Sequence, residues 1–185
     1  MAHDGAIVAA FLVERRFVSL SARHFFHPRA GAVTDEHYMR EALKEAQAAC
    51  DEDEVPIGAV IVRKGRLIAR AHNQTRRLKD PTAHAEMIAI TQAANALQDE
   101  RLAECRLYTT IEPCTMCAGA MVWARIARLI YGAPDAKAGA CGSVLNVPAN
   151  ERLNHHVEVT AGVEADAAGA LMTEFFERLR RQSKS

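Results

Sequence analysis

No run of apolar residues in this chain approaches the roughly 20 that a helix needs to cross a bilayer, so a membrane-spanning helix is not expected. Neither sign of charge prevails: 23 lysines and arginines balance 23 aspartates and glutamates. No global field draws in a polyanion, and any contact with nucleic acid has to come from a local basic patch. Internal repeats and low-complexity tracts are missing; the apolar start is broken by Glu14-Arg15-Arg16, and no clean cleavage site follows it. The cysteines number five, an odd count that argues against a closed disulfide framework. What remains is a chain of 185 residues, 49% hydrophobic and 25% charged, long enough for one well-buried domain and short for two.

Residues 1–33 differ in composition, with Arg15, Arg16, Arg23 and Arg29 against Asp4 and Glu14. They read as a poorly ordered N-terminal extension, the alternatives being a targeting leader or an RNA-touching arm. From Thr34 the pattern turns regular. Met39, Leu43, Ala46 and Cys50 recur at helical spacing behind Thr34 or Asp35 as N-cap. Ile57–Val62 is a continuous apolar run, as in a strand covered on both faces, and Lys64-Gly65 turns it into a second strand over Arg66–Ala71. A loop leads to a helix over Ala83–Leu97. Arg106–Thr110 reads as a strand, Thr115–Arg125 as a helix and Arg128–Gly132 as a strand, a sequence that implies a parallel pair with a right-handed crossover. His156–Gly162 supplies a fifth strand, and a helix bearing Leu171, Met172, Phe175 and Leu179 closes the chain. The expected fold is α/β: three α/β/α layers around a mixed five-stranded sheet, over residues 34–181, with 182–185 as a tail.

The chemistry concentrates in two short segments. Cys114 and Cys117 form a C-x-x-C just after a strand, where Pro113 suits a first helical turn and i, i+3 spacing puts both sulfurs on one side. A helix N-terminus favours thiolate over thiol, and two thiolates are soft ligands of the kind Zn²⁺ prefers. His84, at the start of the other helix, supplies a third ligand. With water as the fourth, the site is of the open, catalytic kind, in which zinc brings the pKa of water to roughly 7. Glu86 is offset from His84 and so is free to move protons rather than hold the ion. Bland readings exist for each piece: a redox C-x-x-C, a structural zinc knuckle completed by His155 or His156, or a core histidine at 84. The combination H-x-E followed by P-C-x-x-C is the signature of zinc-dependent nucleobase deaminases. Cys50, Cys105 and Cys141 are expected to be ordinary buried cysteines. With no clear secretory signal, the C-x-x-C spacing reads as metal or redox chemistry in a reducing compartment, and a cytoplasmic protein is expected.

Beyond these motifs, "EVPIGAVIV", "HNQT", "DPTAHAE", "LYTTIEPCTMCAGAM", "YGAPDAKAGACGS" and "NHHVEVTAG" occur in the order seen in bacterial tRNA-specific adenosine deaminases, which the sequence resembles over roughly Asp35 to Arg181. That resemblance implies a cytidine deaminase-like fold and one Zn²⁺ per subunit, held by His84, Cys114 and Cys117 with Glu86 as proton shuttle. It implies conversion of the wobble adenosine of an arginine tRNA with an ACG anticodon to inosine, by an activated hydroxide attacking C6. The partner is then the anticodon stem-loop of the tRNA. Asn73 would touch the flipped nucleoside, and Asp135, Lys137 and Asn154 would line the RNA-binding rim. Asn73 could equally be a turn residue, and Asp135 a helix cap after Pro134. Phe175 and Phe176 could stack on bases or pack in the core, and Arg178, Arg180, Arg181 and Lys184 could meet phosphates or end in solvent. A homodimer is implied, with Met121, Val122 and Trp123 as candidate contacts or simply as part of a buried helix. Free guanine or cytosine deamination, an RNA-binding module with a structural zinc, and a C-x-x-C oxidoreductase are the competing readings.

Overall fold

The computed structural model describes residues 33–183. Of the residues expected to form an extension, all but Val33 lie outside that range, as do Lys184 and Ser185. In chain order the elements are α1 (Asp35–Asp51), β1 (Gly58–Arg63), β2 (Arg66–His72), α2 (Thr75–Leu78), α3 (Ala85–Leu97), β3 (Cys105–Ile111), α4 (Thr115–Trp123), β4 (Arg128–Ala133), β5 (Glu158–Ala161) and α5 (Ala165–Gln182). The strands form one sheet in the order β2-β1-β3-β4-β5. β1 runs antiparallel to β2 and β3, while β3, β4 and β5 are parallel. The mixed five-stranded sheet expected from the sequence is therefore present.

Register explains the three layers. Val60 stands opposite Tyr108, and Tyr108 opposite Ile130. Because side chains alternate across a strand, this row points to one face, where it packs with Tyr38, Met39 and Ala42 of α1. The intervening Ala59, Ile61, Leu107, Leu129 and Tyr131 point to the other, against Ala85, Ala89 and Ala93 of α3 and Ala118 and Met121 of α4. Each large side chain buried in this way contributes about 1.5–3 kcal/mol. α1 lies very close to the sheet at Gly58: a Cβ there would sit 2.0 Å from the Ala42 carbonyl oxygen and 2.4 Å from the Ala46 nitrogen. No side chain fits, which accounts for glycine at the start of an otherwise branched apolar strand.

Several boundaries differ from the sequence expectation for physical reasons. α3 begins at Ala85 because His84 is its extended N-cap. α4 stops at Trp123 because Arg125 takes a left-handed conformation with φ of 59°. The segment expected to be plain loop before α3 contains the short α2, too brief to show periodicity. β5 is only four residues long and pairs with β4 alone. Cys50, Cys105 and Cys141 are buried, and no cysteine among the described residues is in a disulfide.

Candidate active site

Two helix N-termini meet at the end of the sheet where β3 finishes. β3 ends at Ile111 and the chain passes through Glu112-Pro113 to Cys114, the N-cap of α4; His84 is the N-cap of α3. Neither side chain caps its own helix, which leaves the imidazole and the thiol to face each other. His84 Nδ1 is 3.7 Å from Cys114 Sγ and 3.6 Å from Cys117 Sγ, and the two sulfurs are 3.8 Å apart. The donor set, one nitrogen and two sulfurs within 4.8 Å of one another, could hold a metal ion and has the soft character that suits Zn²⁺. The sulfur–sulfur hydrogen bond, with His84 beside it, brings the Cys114 thiol down to about 3. The same bond and burial push Cys117 up, so a cation is what would let both ionise together. His84 is raised, chiefly by its hydrogen bond to Cys114.

Glu86, in the first turn of α3, is only 3% exposed. Its Oε2 has no hydrogen-bond partner among the described residues, and burial pushes its carboxyl up. A carboxylate oxygen left without a partner in the interior is costly. Here it sits beside the three donors, as a group that is to exchange protons with a bound molecule must.

Asn73 follows β2 and is buried. Its Nδ2 donates to Glu54 Oε2 at 3.1 Å and to Thr75 Oγ1 at 3.1 Å. The next residue, Gln74, donates its N–H to the Ala83 carbonyl at 3.0 Å, which ties this stretch alongside the residue preceding His84. Glu54, buried itself, also accepts the Arg77 N–H at 2.7 Å. Its part was not foreseen, since an acid among the charged residues Asp51–Glu54 looks like surface.

Asp135 and Lys137 lie on the loop after β4. The Asp135 carboxylate accepts the N–H groups of Lys137 and Ala138 at 2.8 and 3.1 Å, so it caps a turn rather than a helix. Lys137 joins Met172, Thr173, Phe176 and Arg180 of α5 in lining one open groove. Asn154 is not drawn into the hydrogen-bonded set around His84: its carbonyl and Oδ1 accept from Arg125 Nη1 at 2.8 and 3.1 Å. Phe175 is buried while Phe176 is 41% exposed, which settles which of the two is core. Arg178 is no tail residue, because it lies over the Phe175 ring and donates to the Cys50 carbonyl at 3.0 Å. Met121 and Val122 are core, whereas Trp123 is 81% exposed.

Glu112 also escaped the sequence reading. Its buried carboxylate accepts the N–H groups of Cys141 (2.9 Å), Ser143 (3.0 Å) and Asp135 (3.1 Å), and the Ser143 hydroxyl. Burial alone would raise it, yet these donors hold it below the usual carboxylate range. The only hint in the sequence was its place before Pro113-Cys114.

Comparison with known proteins assigns the class. The model of the MafB19-like deaminase family matches residues 33–180, so the sheet and its converged donors are those of a deaminase. A tRNA-specific adenosine deaminase of Bacillus subtilis is 46% identical over 151 residues, covering 82% of this chain and 94% of the relative. One from Agrobacterium fabrum is 47% identical over 144 residues, 78% of this chain and 95% of its own. The chain belongs to the tRNA-specific adenosine deaminase family. Among solved structures, one from work on A-to-I editing by tRNA:A34 deaminases has a TM-score of 0.71 at 48% identity, covering 73% of this chain and 98% of its own. A guanine deaminase from Nitrosomonas europaea has a TM-score of 0.66 at 28% identity, covering 92% and 98%.

Proposed function

We propose that this chain deaminates adenosine to inosine at the wobble position of a tRNA anticodon, the arginine tRNA with an ACG anticodon being the expected substrate. The observation that carries the reaction class is the meeting of His84 Nδ1, Cys114 Sγ and Cys117 Sγ within 4.8 Å of one another, beside a buried and unpaired Glu86 carboxylate oxygen. The family relatives favour the tRNA substrate.

His84, Cys114 and Cys117 hold Zn²⁺ in this reading, and the metal when bound supplies the Lewis acidity that makes water nucleophilic near neutral pH. Glu86 takes a proton from the attacking water and delivers it to the purine ring nitrogen, then passes the next to the departing amine. A C6–O bond forms, the C6–N6 bond breaks, and ammonia leaves. Asn73, fixed by Glu54, faces the nucleoside, and the groove lined by Lys137, Phe176 and Arg180 receives the RNA. Asp135 and Asn154 belong to the rim by shaping its loops: one caps the turn that carries Lys137, the other holds Arg125. The deaminase domain extends from residue 34 to 181, and the protein works as a homodimer in the cytoplasm, with exposed Trp123 as a contact.

The direct test is incubation of zinc-loaded protein with that arginine tRNA, read as inosine by sequencing. Inosine at the wobble position is expected. Ammonia from free guanine or cytosine with none from RNA would move the assignment to a free-base deaminase.

A further inference from the structure

Glu112 binds no element of its own neighbourhood; it binds a loop that returns from beyond β4. Its donors come from both ends of that loop, Asp135 at one and Cys141 and Ser143 at the other. The middle of the loop is joined to the metal-site segment as well. Gly139 pairs with Cys114 in an isolated antiparallel bridge, and the Ala140 N–H donates to the Pro113 carbonyl at 2.8 Å. A Cβ on Gly139 would lie 2.4 Å from Glu112 Cδ and Oε2, so glycine is what lets the carboxylate reach its donors.

Acceptor-only chemistry explains the residue type. A carboxylate offers several lone pairs and no proton, which suits a ring of N–H and O–H donors. Among the described residues Glu112 has no ion pair, so a buried charge is retained on hydrogen bonds alone, at a cost that a shape-filling role would not need. From Glu112 the connection continues through the Asp135 backbone to the Asp135 carboxylate, which caps Lys137. Lys137 faces the groove it shares with Phe176 and Arg180.

We propose that Glu112 is a positioning residue that sets the distance between the RNA-binding rim and the metal site. It touches neither the base nor the ion. It fixes the loop bearing Asp135 and Lys137 against the segment bearing Cys114, so that RNA held at the rim presents its base in register with His84, Cys114 and Cys117. This rests on the RNA reading given above.

Glu112→Gln tests it with a small local lesion. The amide oxygen can keep the Cys141 and Ser143 N–H groups, and the Ser143 hydroxyl can turn to accept, but the new NH₂ then confronts the Asp135 N–H. The expected variant folds cooperatively, keeps its zinc, and shows KM for an anticodon stem-loop raised roughly tenfold with kcat within about threefold. In a Lys137→Ala background the same substitution should raise KM less than about twofold, because the rim it positions is already lost. Hydrogen–deuterium exchange should quicken over Asp135–Ala138 while Cys141 and Ser143 stay protected. An equal KM effect in both backgrounds, or zinc lost in proportion to activity, would overturn the proposal in favour of a structural role. Wild-type protein inactive on every RNA would sink the function reading instead, and the exchange experiment then decides this one: unchanged exchange in Glu112→Gln refutes it.

Discussion

At the scale of single residues, the proposed reaction separates holding from proton transfer. His84, Cys114 and Cys117 offer ligand atoms to a common point, while Glu86, beside them, keeps one buried carboxylate oxygen without a partner among the described residues. Two substitutions should therefore fail differently. Glu86→Gln keeps the shape and the zinc but loses about 10²-fold or more in kcat; His84→Ala loses the zinc itself. Metal analysis alongside kcat distinguishes them, and a Glu86→Gln enzyme of near-normal kcat would remove the proton-shuttle role. These residues were legible in the sequence because the signal is local: both motifs sit at a helix start, and residue spacing near a helix end fixes direction. Glu112 was not legible, since its donors lie 23 to 31 residues downstream in a loop without periodicity. Glu54 was hidden for a similar reason, its partners Asn73 and Arg77 being 19 and 23 residues away.

At the scale of elements, strands and long helices were readable wherever burial imposed a period, and less so where a neighbour decided the outcome. The run Ile57–Val62 announced a strand buried on both faces, and β1 is one. The seven residues expected for the last strand shrank to four, Glu158–Ala161, which pair with Arg128–Tyr131 of β4 before Gly162 turns away with φ of 87°. The last helix was legible as an apolar stripe, but not that its Arg178 would turn back to the Cys50 carbonyl. α1 is held to the sheet by close approach and by charge, and both can be tested. Gly58→Ala forces a Cβ into α1 backbone atoms and should cost about 1–3 kcal/mol, read as a lower Tm. An unchanged Tm would mean that the contact yields freely. Glu41 of α1 is held below the ordinary carboxylate range by Lys44 and then Arg70, the latter reaching across from β2. A depressed folded pKa adds stability above the unfolded value of about 4.5 that is lost as pH falls through the folded one. Melts of wild type and Glu41→Gln should thus differ at pH 6 and converge toward pH 3. A gap that stays constant across that range would exclude a contribution from ionised Glu41.

At the scale of the whole molecule, a protein of no net charge has to meet an RNA polyanion through local cations. In the proposed reading α5 and the loop after β4 are that place: Lys137 and Arg180 line one groove with exposed Phe176. Among the described residues neither cation is in an ion pair, so both are available to phosphates, and the aromatic edge between them suits an unstacked base. Counterion release makes such binding salt-dependent, with a slope of about −0.7 in log K against log salt for each phosphate neutralised on a single strand. Removing both cations, as Lys137→Ala with Arg180→Ala, should weaken stem-loop binding and flatten that slope by about 1.4. Titrations across a salt series, in a Glu86→Gln background so that the RNA stays unmodified, measure it. A Phe176→Ala variant should instead weaken binding by a similar amount at every salt concentration, since stacking releases no ions. If the double substitution left the slope as it was, the RNA would have to dock on another face, and the link from Glu112 to the groove would no longer bear on substrate.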